Sequence, residues 1–264
     1  MKNKKLVSII VISMIVTMIL TSCSKDKYPL KDDKVTNVSK NVISKVDKNI
    51  KVSNCDEISC AITDKKVISI VIQGMGNEDS LSKLLKELKN NNLKVTFFAS
   101  GIKVSEESNL AKAIISDGHK IENSTLTSAD LTKESYKDKV KEIERSGEAI
   151  EKVLKEKCKY LRVGKDNIDK KVKDVAKDCG YKYIINPTIR FTDLSNEDEQ
   201  YLGKMFLEKR KRGNLILLDL DSNPDLYKYI SYFAEKIKEK SYKAISLDDL
   251  IYLYEKRKVE QYKP

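Results

Sequence analysis

Histidine is almost absent: the 264-residue chain holds one, His119. A zinc site that needs two or three imidazoles cannot be built from this chain alone. Zinc fingers with paired His and metal hydrolases with a His pair are excluded unless a second chain donates ligands. Tryptophan is missing. Long hydrophobic runs are also scarce. The most apolar stretch, Leu6 to Leu20, is broken by Ser8, Ser13 and Thr17 and falls short of the about 20 residues that a membrane span needs. Acidic residues are the minority charge, 40 against 51 Lys and Arg, which leaves a formal +11. Apolar residues still make up 40% of the chain, enough for a core, so a wholly disordered chain is excluded. At roughly 100–200 residues per domain, the length fits one full-sized domain with extras, or two small ones.

What is present at the N-terminus reads as an address. Lys2, Lys4 and Lys5 precede the apolar run, and its length and flanks fit a secretory signal. Leu20-Thr21-Ser22-Cys23 follows, and it resembles the lipobox of bacterial lipoproteins. The resemblance implies cleavage after residue 22 and diacylation of the Cys23 thiol. A two-chain anchor of that kind holds stably at the extracytoplasmic face of the cell membrane. The Lys-, Asn- and Ile-rich composition is associated with Gram-positive bacteria. Residues 23–65 read as a tether dominated by Lys, Asp, Asn and Ser, with no sustained period and too little apolar area to offset its ordering entropy. Cys55 and Cys60 lie near its end. With Cys23 lipidated, Cys55, Cys60, Cys158 and Cys179 remain, and four thiols allow three pairings. A Cys55–Cys60 disulfide is one candidate in an exported protein.

From residue 66 to 264 the pattern alternates between strand and helix. Val67 to Ile72 is a β-branched run bounded by Gly74 and Gly76, which predicts a buried strand. Leu81, Leu84, Leu85 and Leu88 fall at helical spacing within a helix over 80–91. Further strands are predicted at 94–98, 119–122, 160–161, 181–185, 214–218 and 243–245. Helices are predicted at 106–116, 131–155, 169–179, 199–212, 224–240 and 247–258. Such alternation means βαβ units and parallel pairing. About seven units give an α/β domain of barrel type, with an open doubly wound sheet as the alternative, and in both the chemistry sits at the carboxyl ends of the strands.

Four segments at or near those ends, in order, carry a resemblance. They are Lys94-Val95-Thr96-Phe97-Phe98; Asp117 to Asn123 followed by Asp130-Leu131-Thr132; Cys179-Gly180-Tyr181-Lys182; and Lys240 to Leu247. Together, across Lys66 to Leu253, they resemble the polysaccharide deacetylase family, also called the chitooligosaccharide deacetylase or NodB homology family. The resemblance implies a distorted (β/α) barrel and removal of N-acetyl groups from glycans such as peptidoglycan, chitin or exopolysaccharide. It also implies zinc or another divalent metal that lowers the pKa of a bound water, a carboxylate base and an acid for the leaving amine.

Mapped onto the family's motifs, the reactive positions differ. The family's base position holds Ile72 and its metal-carboxylate position holds Gln73. Its two metal-histidine positions hold Ser124 and Ser128. The family's Arg is kept as Arg162, without the prolines that follow it, and the late acid position holds Asp219. Isoleucine cannot accept a proton, and neutral Gln and Ser are poor zinc ligands beside imidazole. The expectation is therefore a catalytically inactive relative with no cofactor. Gln73, Asn123, Ser124, Ser128, Arg162 and Asp219 would line a groove that binds cell-wall glycan or an envelope protein.

The competing class is an active carbohydrate N-deacetylase with an atypical site, built from Asp219, Asp221 or Cys thiolates. Asp219 and Asp221 alternate at a strand end, and either point into the mouth or solvate it. His119 is read as structural. Lys209 to Arg212 is read as a solvated helix end rather than a nucleic-acid patch, so no nucleic-acid partner is expected. Tyr227, Tyr229 and Tyr232 are read as helix-face packing.

Overall fold

The computed structural model describes residues 55–191 and 213–261. The helix expected over 199–212 and the proposed Cys23 anchor lie outside them. No helix of the described residues is long and apolar enough to cross a membrane.

Nine strands form one sheet in the order β1-β6-β5-β4-β3-β2-β8-β7, with β9 paired to β2, and every ladder is parallel. The strands are β1 (Asp56–Ile58), β2 (Val67–Gln73), β3 (Thr96–Ala99), β4 (Lys120–Asn123), β5 (Tyr160–Leu161), β6 (Tyr183–Ile185), β7 (Ile189–Phe191), β8 (Asn214–Asp219) and β9 (Lys243–Ala244). The described helices are α1 (Glu78–Asn90), α2 (Gly101–Glu106), α3 (Ser108–Ser116), α4 (Tyr136–Leu154), α5 (Lys170–Asp178), α6 (Tyr227–Glu239) and α7 (Leu247–Gln261). Several helices start at a cap the sequence supplies: Asn77, Ser100, Ser135 and Asp169 each accept a first-turn backbone N–H with the side chain.

The sheet is curled, the distorted (β/α) barrel expected above, with β1 and β7 added to the seven expected strands. Among the described residues, the chain just past β1 meets β8 at one isolated antiparallel bridge, Cys60 to Asn214, beside a bond from the Ala61 N–H to the Gly213 carbonyl (2.8 Å).

Period-two alternation divides the core. Ile68, Ile70 and Ile72 of β2 pack outward with Leu81, Leu84 and Leu88 of α1 and Phe233 of α6. Val71, Phe98, Tyr160, Tyr183, Leu215 and Leu217 face inward, where Leu247, Leu250 and Ile251 of α7 cover them. Polar ties hold α7 across the strands' amino ends. Tyr160 donates to Asp248 (2.7 Å), Tyr183 and Lys182 donate to Glu255 (2.5 and 2.8 Å), and Lys258 pairs with Asp56 (2.5 Å). The opposite, carboxyl end is left for the site.

Two expectations need correction. The domain reaches upstream of residue 66, because Asp56–Ile58 pairs in register with Tyr183–Ile185. The bridge between Cys55 and Cys60 does not form; these two and Cys158 and Cys179 are free thiols. Cys55 is buried beside Val172 and Val175 of α5, while Cys60 lies past the far end of β1 at the bridge to Asn214. A strand advances about 3.3 Å per residue, which carries the two Cα atoms beyond the roughly 7 Å limit for a disulfide.

Two buried titratable groups sit below the mouth with opposite pH signs. His119, 4% exposed, accepts the Val95 N–H at Nδ1 (3.2 Å), and burial pushes its pKa down to about 4. It withdraws stability as pH falls from its ordinary 6.5 toward 4. Glu122, also 4% exposed, accepts the N–H groups of Lys159 (2.7 Å) and Tyr160 (2.9 Å) through one oxygen, and burial raises its pKa from 4.5 to about 7. Its contribution is present at low pH and is lost as pH rises from 4.5 to about 7. Glu122→Gln keeps an acceptor for both amides without the buried charge. Its unfolding free energy relative to wild type should climb between these two pH values and stay flat above, by on the order of 2–3 kcal/mol in urea titrations. A difference independent of pH would show that Glu122 does not titrate in this range.

Candidate functional site

At the carboxyl end of β2 the alternation separates two neighbours. Ile72 is fully buried in the outer core against the helices. Gln73, half-buried, falls on the inner face with Val71, between its ladder partners Phe98 and Asp219. Ser124 follows β4, continues the ladder by donating its N–H to Ala99 (3.0 Å), and is fully buried. The Gln73 Nε2 donates to Ser124 Oγ at 3.0 Å. Two residues from strands separated by β3 thus close a neutral amide–hydroxyl pair.

Asp219 ends β8. Its carboxylate accepts the N–H (3.0 Å) and hydroxyl (2.9 Å) of Ser222, which turns the chain back over the mouth. That turn carries Asp221, exposed as a residue, with its carboxylate tucked over Gly74. A Cβ on Gly74 would lie 2.0 Å from the Asp221 carboxyl carbon, and Gly74 has φ +80°, so only glycine fits here. The Gly76 N–H donates to Asp221 Oδ1 (3.0 Å). Partial burial of the carboxylate, with Asp219 beside it, raises the Asp221 pKa above the ordinary value.

Arg162, 2% exposed, does not line a groove. Its Nη1 donates to Asp166 Oδ1 (2.5 Å) and to the Val163 carbonyl (2.9 Å). Asp166 Oδ2 accepts from Arg190 Nη1 (2.6 Å); Arg190 also bonds Asn186, and Asn186 donates to Glu57 (2.5 Å), which pairs with Lys173 (2.8 Å). The run crosses from the loop after β5 to β7, β1 and α5. Burial lowers the Arg162 pKa, and Asp166 opposes that.

Asn123 is structural as well. Fully buried, it donates to the Ile143 carbonyl (2.9 Å) and bonds the Tyr181 hydroxyl (2.7 Å), while its oxygen accepts the Thr125 N–H (2.8 Å). Ser128 has φ +60°, and its backbone lies so near Gly164 that a Cβ there would meet it at 2.5 Å. It makes no bond to Gln73 or Ser124.

Of the six residues expected to line the groove, the structure therefore brings Gln73, Ser124 and Asp219 together. It buries Asn123 and Arg162 in the framework and leaves Ser128 apart. Asp166 and Arg190 were not visible as site neighbours. Asp166 stands four residues after Arg162, a spacing that signals a pair only on a helix, and nothing local marks Arg190.

These residues do not fit a divalent metal. The donors at the three ligand positions are neutral, two of them are spent on each other, and no group of three or more His, Cys, Asp or Glu among the described residues is arranged to hold one. The position of the family's base is no better served, since Ile72 has no acidic or basic atom and faces the outer core.

Comparison with known proteins locates this arrangement. A family model described as polysaccharide deacetylase matches residues 61–184. The chain is 26% identical over 155 residues to the uncharacterized protein YlxY of Bacillus subtilis (strain 168), covering 59% of this chain and 48% of that protein. It thus spans about half the length of that relative. It is 22% identical over 196 residues to the peptidoglycan-N-acetylglucosamine deacetylase of Bacillus cereus, covering 71% and 89%. Among solved structures, a wild-type CE4 family pseudoenzyme from Bacillus anthracis aligns with TM-score 0.68 and 20% identity, covering 74% of this chain and 69% of that one. A mutant of that pseudoenzyme with restored enzymatic activity aligns equally well, with TM-score 0.68, 21% identity and coverage of 74% and 71%. At these identities the structures show the fold.

The Arg162–Asp166–Arg190 link makes a measurable claim. Asp166→Ala leaves the buried Arg162 guanidinium without its carboxylate, and breaking a buried pair from one side costs about 3–5 kcal/mol. Because Asp166 is partly exposed, about 2–4 kcal/mol is expected in urea unfolding, against under about 1 kcal/mol for the exposed Lys170–Asp174 pair in Asp174→Ala. Equal losses would mean that the link does not close the barrel.

Proposed function

Taking as premise that the chain belongs to the polysaccharide deacetylase family, its family domain spanning residues 61–184, we propose that it is a non-catalytic member that binds cell-wall glycan. In this reading it is held at the extracytoplasmic face of the membrane by lipid on Cys23. The observation that carries the reading is the Gln73–Ser124 hydrogen bond. At two positions where the family resemblance calls for an anionic and an imidazole metal ligand, this chain has two neutral groups that satisfy each other. Amide hydrolysis needs an activated water and a group to take its proton. Glycan recognition needs neither: it uses hydroxyl and amide groups of the kind Gln73 offers, with one amide hydrogen still unspent after the bond to Ser124. The relatives support the same class of ligand, one being named a peptidoglycan-N-acetylglucosamine deacetylase and another a pseudoenzyme of the same fold.

The test pairs chemistry with binding. Full chain with added zinc or cobalt should release no acetate from N-acetylated chitooligosaccharides, hold no stoichiometric metal, and still bind partially acetylated oligomers by calorimetry. Turnover with bound metal would overturn the reading in favour of an active deacetylase with an atypical site. A second measurement addresses the anchor: Cys23→Ala should move the protein from the membrane fraction to the medium, and unchanged retention would refute lipidation.

A further inference from the structure

The amino end of the barrel, opposite the mouth, has a surface of its own. Lys65 and Lys66 lead into β2, and the Lys243 N–H donates to the Lys66 carbonyl (2.9 Å), so these three stand together where the strands begin. Helix α7 crosses the same end. Its inner side, Leu247, Leu250 and Ile251, is buried, while Asp249, Tyr252, Lys256 and Val259, spaced three, four and three, are exposed on the outer side. Lys65, Lys66, Lys243 and Lys256 are all exposed, and none is in an ion pair among the described residues. The carboxylates that hold α7 in place are answered by other cations: Asp248 by Lys120, Glu255 by Lys182 and Asp56 by Lys258.

Apolar side chains accompany these lysines. Tyr252 is 53% exposed and Val259 38%. Ile62, 63% exposed, follows Ala61, whose N–H bonds the Gly213 carbonyl just before β8, at the same end. Lysine, tyrosine and aliphatic side chains presented together match a lipid headgroup layer, where the ammonium meets phosphate, the phenol sits at the interface and the aliphatic group reaches the acyl boundary. The carboxyl end is of the other sign. Glu78 and Asp221 are exposed there, and neither is in an ion pair among the described residues.

We propose that the amino end of the barrel rests on the anionic phospholipid of the bilayer, with the mouth turned outward to the wall. This inference rests on the reading above that Cys23 carries lipid. Cys55 enters β1 at the amino end, and residues 24–54, which separate it from Cys23, span at most about 110 Å fully extended. Within that reach an anchored domain meets the bilayer at an effective concentration on the order of millimolar. A surface too weak to bind a membrane unaided then suffices to set orientation. Each lysine brought near an anionic leaflet multiplies the preference about fivefold, and the exposed acids at the mouth oppose the inverted pose.

The chain has no tryptophan, so one introduced tryptophan reports only its own surroundings. Tyr252→Trp places it on α7; Ile102→Trp, also at an exposed position, places a control on α2 beyond the carboxyl end of β3. Each lipidated protein is purified from membranes and reconstituted into vesicles of phosphatidylcholine, alone or with phosphatidylglycerol. In the anionic vesicles the Tyr252→Trp emission should shift to the blue and lose about half its intensity to lipids brominated near the headgroup, while the Ile102→Trp emission stays unchanged. Salt at about 0.5 M, which screens the lysines without altering the chain, should cut the quenching at least threefold. Replacing the four lysines by glutamine should do the same. Absence of quenching at Tyr252→Trp, in protein whose mass shows lipid on Cys23, overturns the inference and leaves the anchor standing. An unmodified Cys23 overturns the anchor and the inference with it. Equal quenching at both positions overturns a defined face. A blue shift without quenching by the labelled lipid assigns the face to a second copy of the chain and overturns it too. Quenching that survives both salt and the glutamine variant overturns the role given to the lysines.

Discussion

Asp166 holds two arginines, and the curled sheet closes around that fact. Parallel ladders carry the sheet from β1 round to β7, and among the described residues one isolated backbone bridge, Cys60 to Asn214, ties the chain past β1 to β8. What completes the closure is a line of side chains: Arg162, Asp166, Arg190, Asn186, Glu57 and Lys173. A charge removed from water is costly unless paired and hydrogen-bonded. Here two carboxylates, Asp166 and Glu57, serve three cations, Arg162, Arg190 and Lys173, along the line from β5 to α5. The single arginine that the family resemblance places near the reaction is thereby committed to architecture.

Ile72 takes no part in that link. It adds its side chain to the outer core with Ile68 and Ile70, where burial of apolar area contributes at about 25 cal/mol per Å². Stability and catalysis pull in opposite directions at such positions, because active-site charges are commonly held against the preference of the fold. The Gln73–Ser124 pair sits on the side of stability, since it satisfies a buried hydroxyl with a neighbouring amide.

Much of this was legible in the residues, and the failures have physical causes. The β2 run, the leucine stripe of α1 and the caps at Asn77 and Asp169 are local signals, and each element formed close to where its signal lay. Strands β1 and β7 escaped notice because each has three residues, with charges in Asp56-Glu57 and at Arg190 that read as loop. They are strands because a neighbouring edge offers bonding groups, which is tertiary information. Helix α2 was missed for a related reason: Gly101 at its start is a poor helix former, yet its N–H bonds the Ser146 hydroxyl and the Thr125 carbonyl across the fold. At the mouth, the residue identities showed which groups stand at the family's reactive positions. They could not report that Asn123 spends its amide on Ile143 and Tyr181, or that Arg162 turns toward Asp166. Those facts depend on partners 20 to 58 residues away for Asn123, and on a seam that no local pattern describes.

Thr125 shows what holds the mouth in its form. It has φ +66°, a conformation that β-branched residues rarely adopt and that costs on the order of 1–3 kcal/mol. The surroundings over-determine it. Its N–H is held by Asn123, and its carbonyl accepts from Gly101 (3.2 Å) and from the hydroxyl of Ser146 on α4 (2.8 Å). The bend therefore belongs to the framework that packs α2 and α4 against β4, and it persists whatever stands at position 124. A loop shaped by the framework can exchange the side chains it presents without moving. One backbone can then present different side chains at this end of the sheet, and the chemistry there can change while the fold does not.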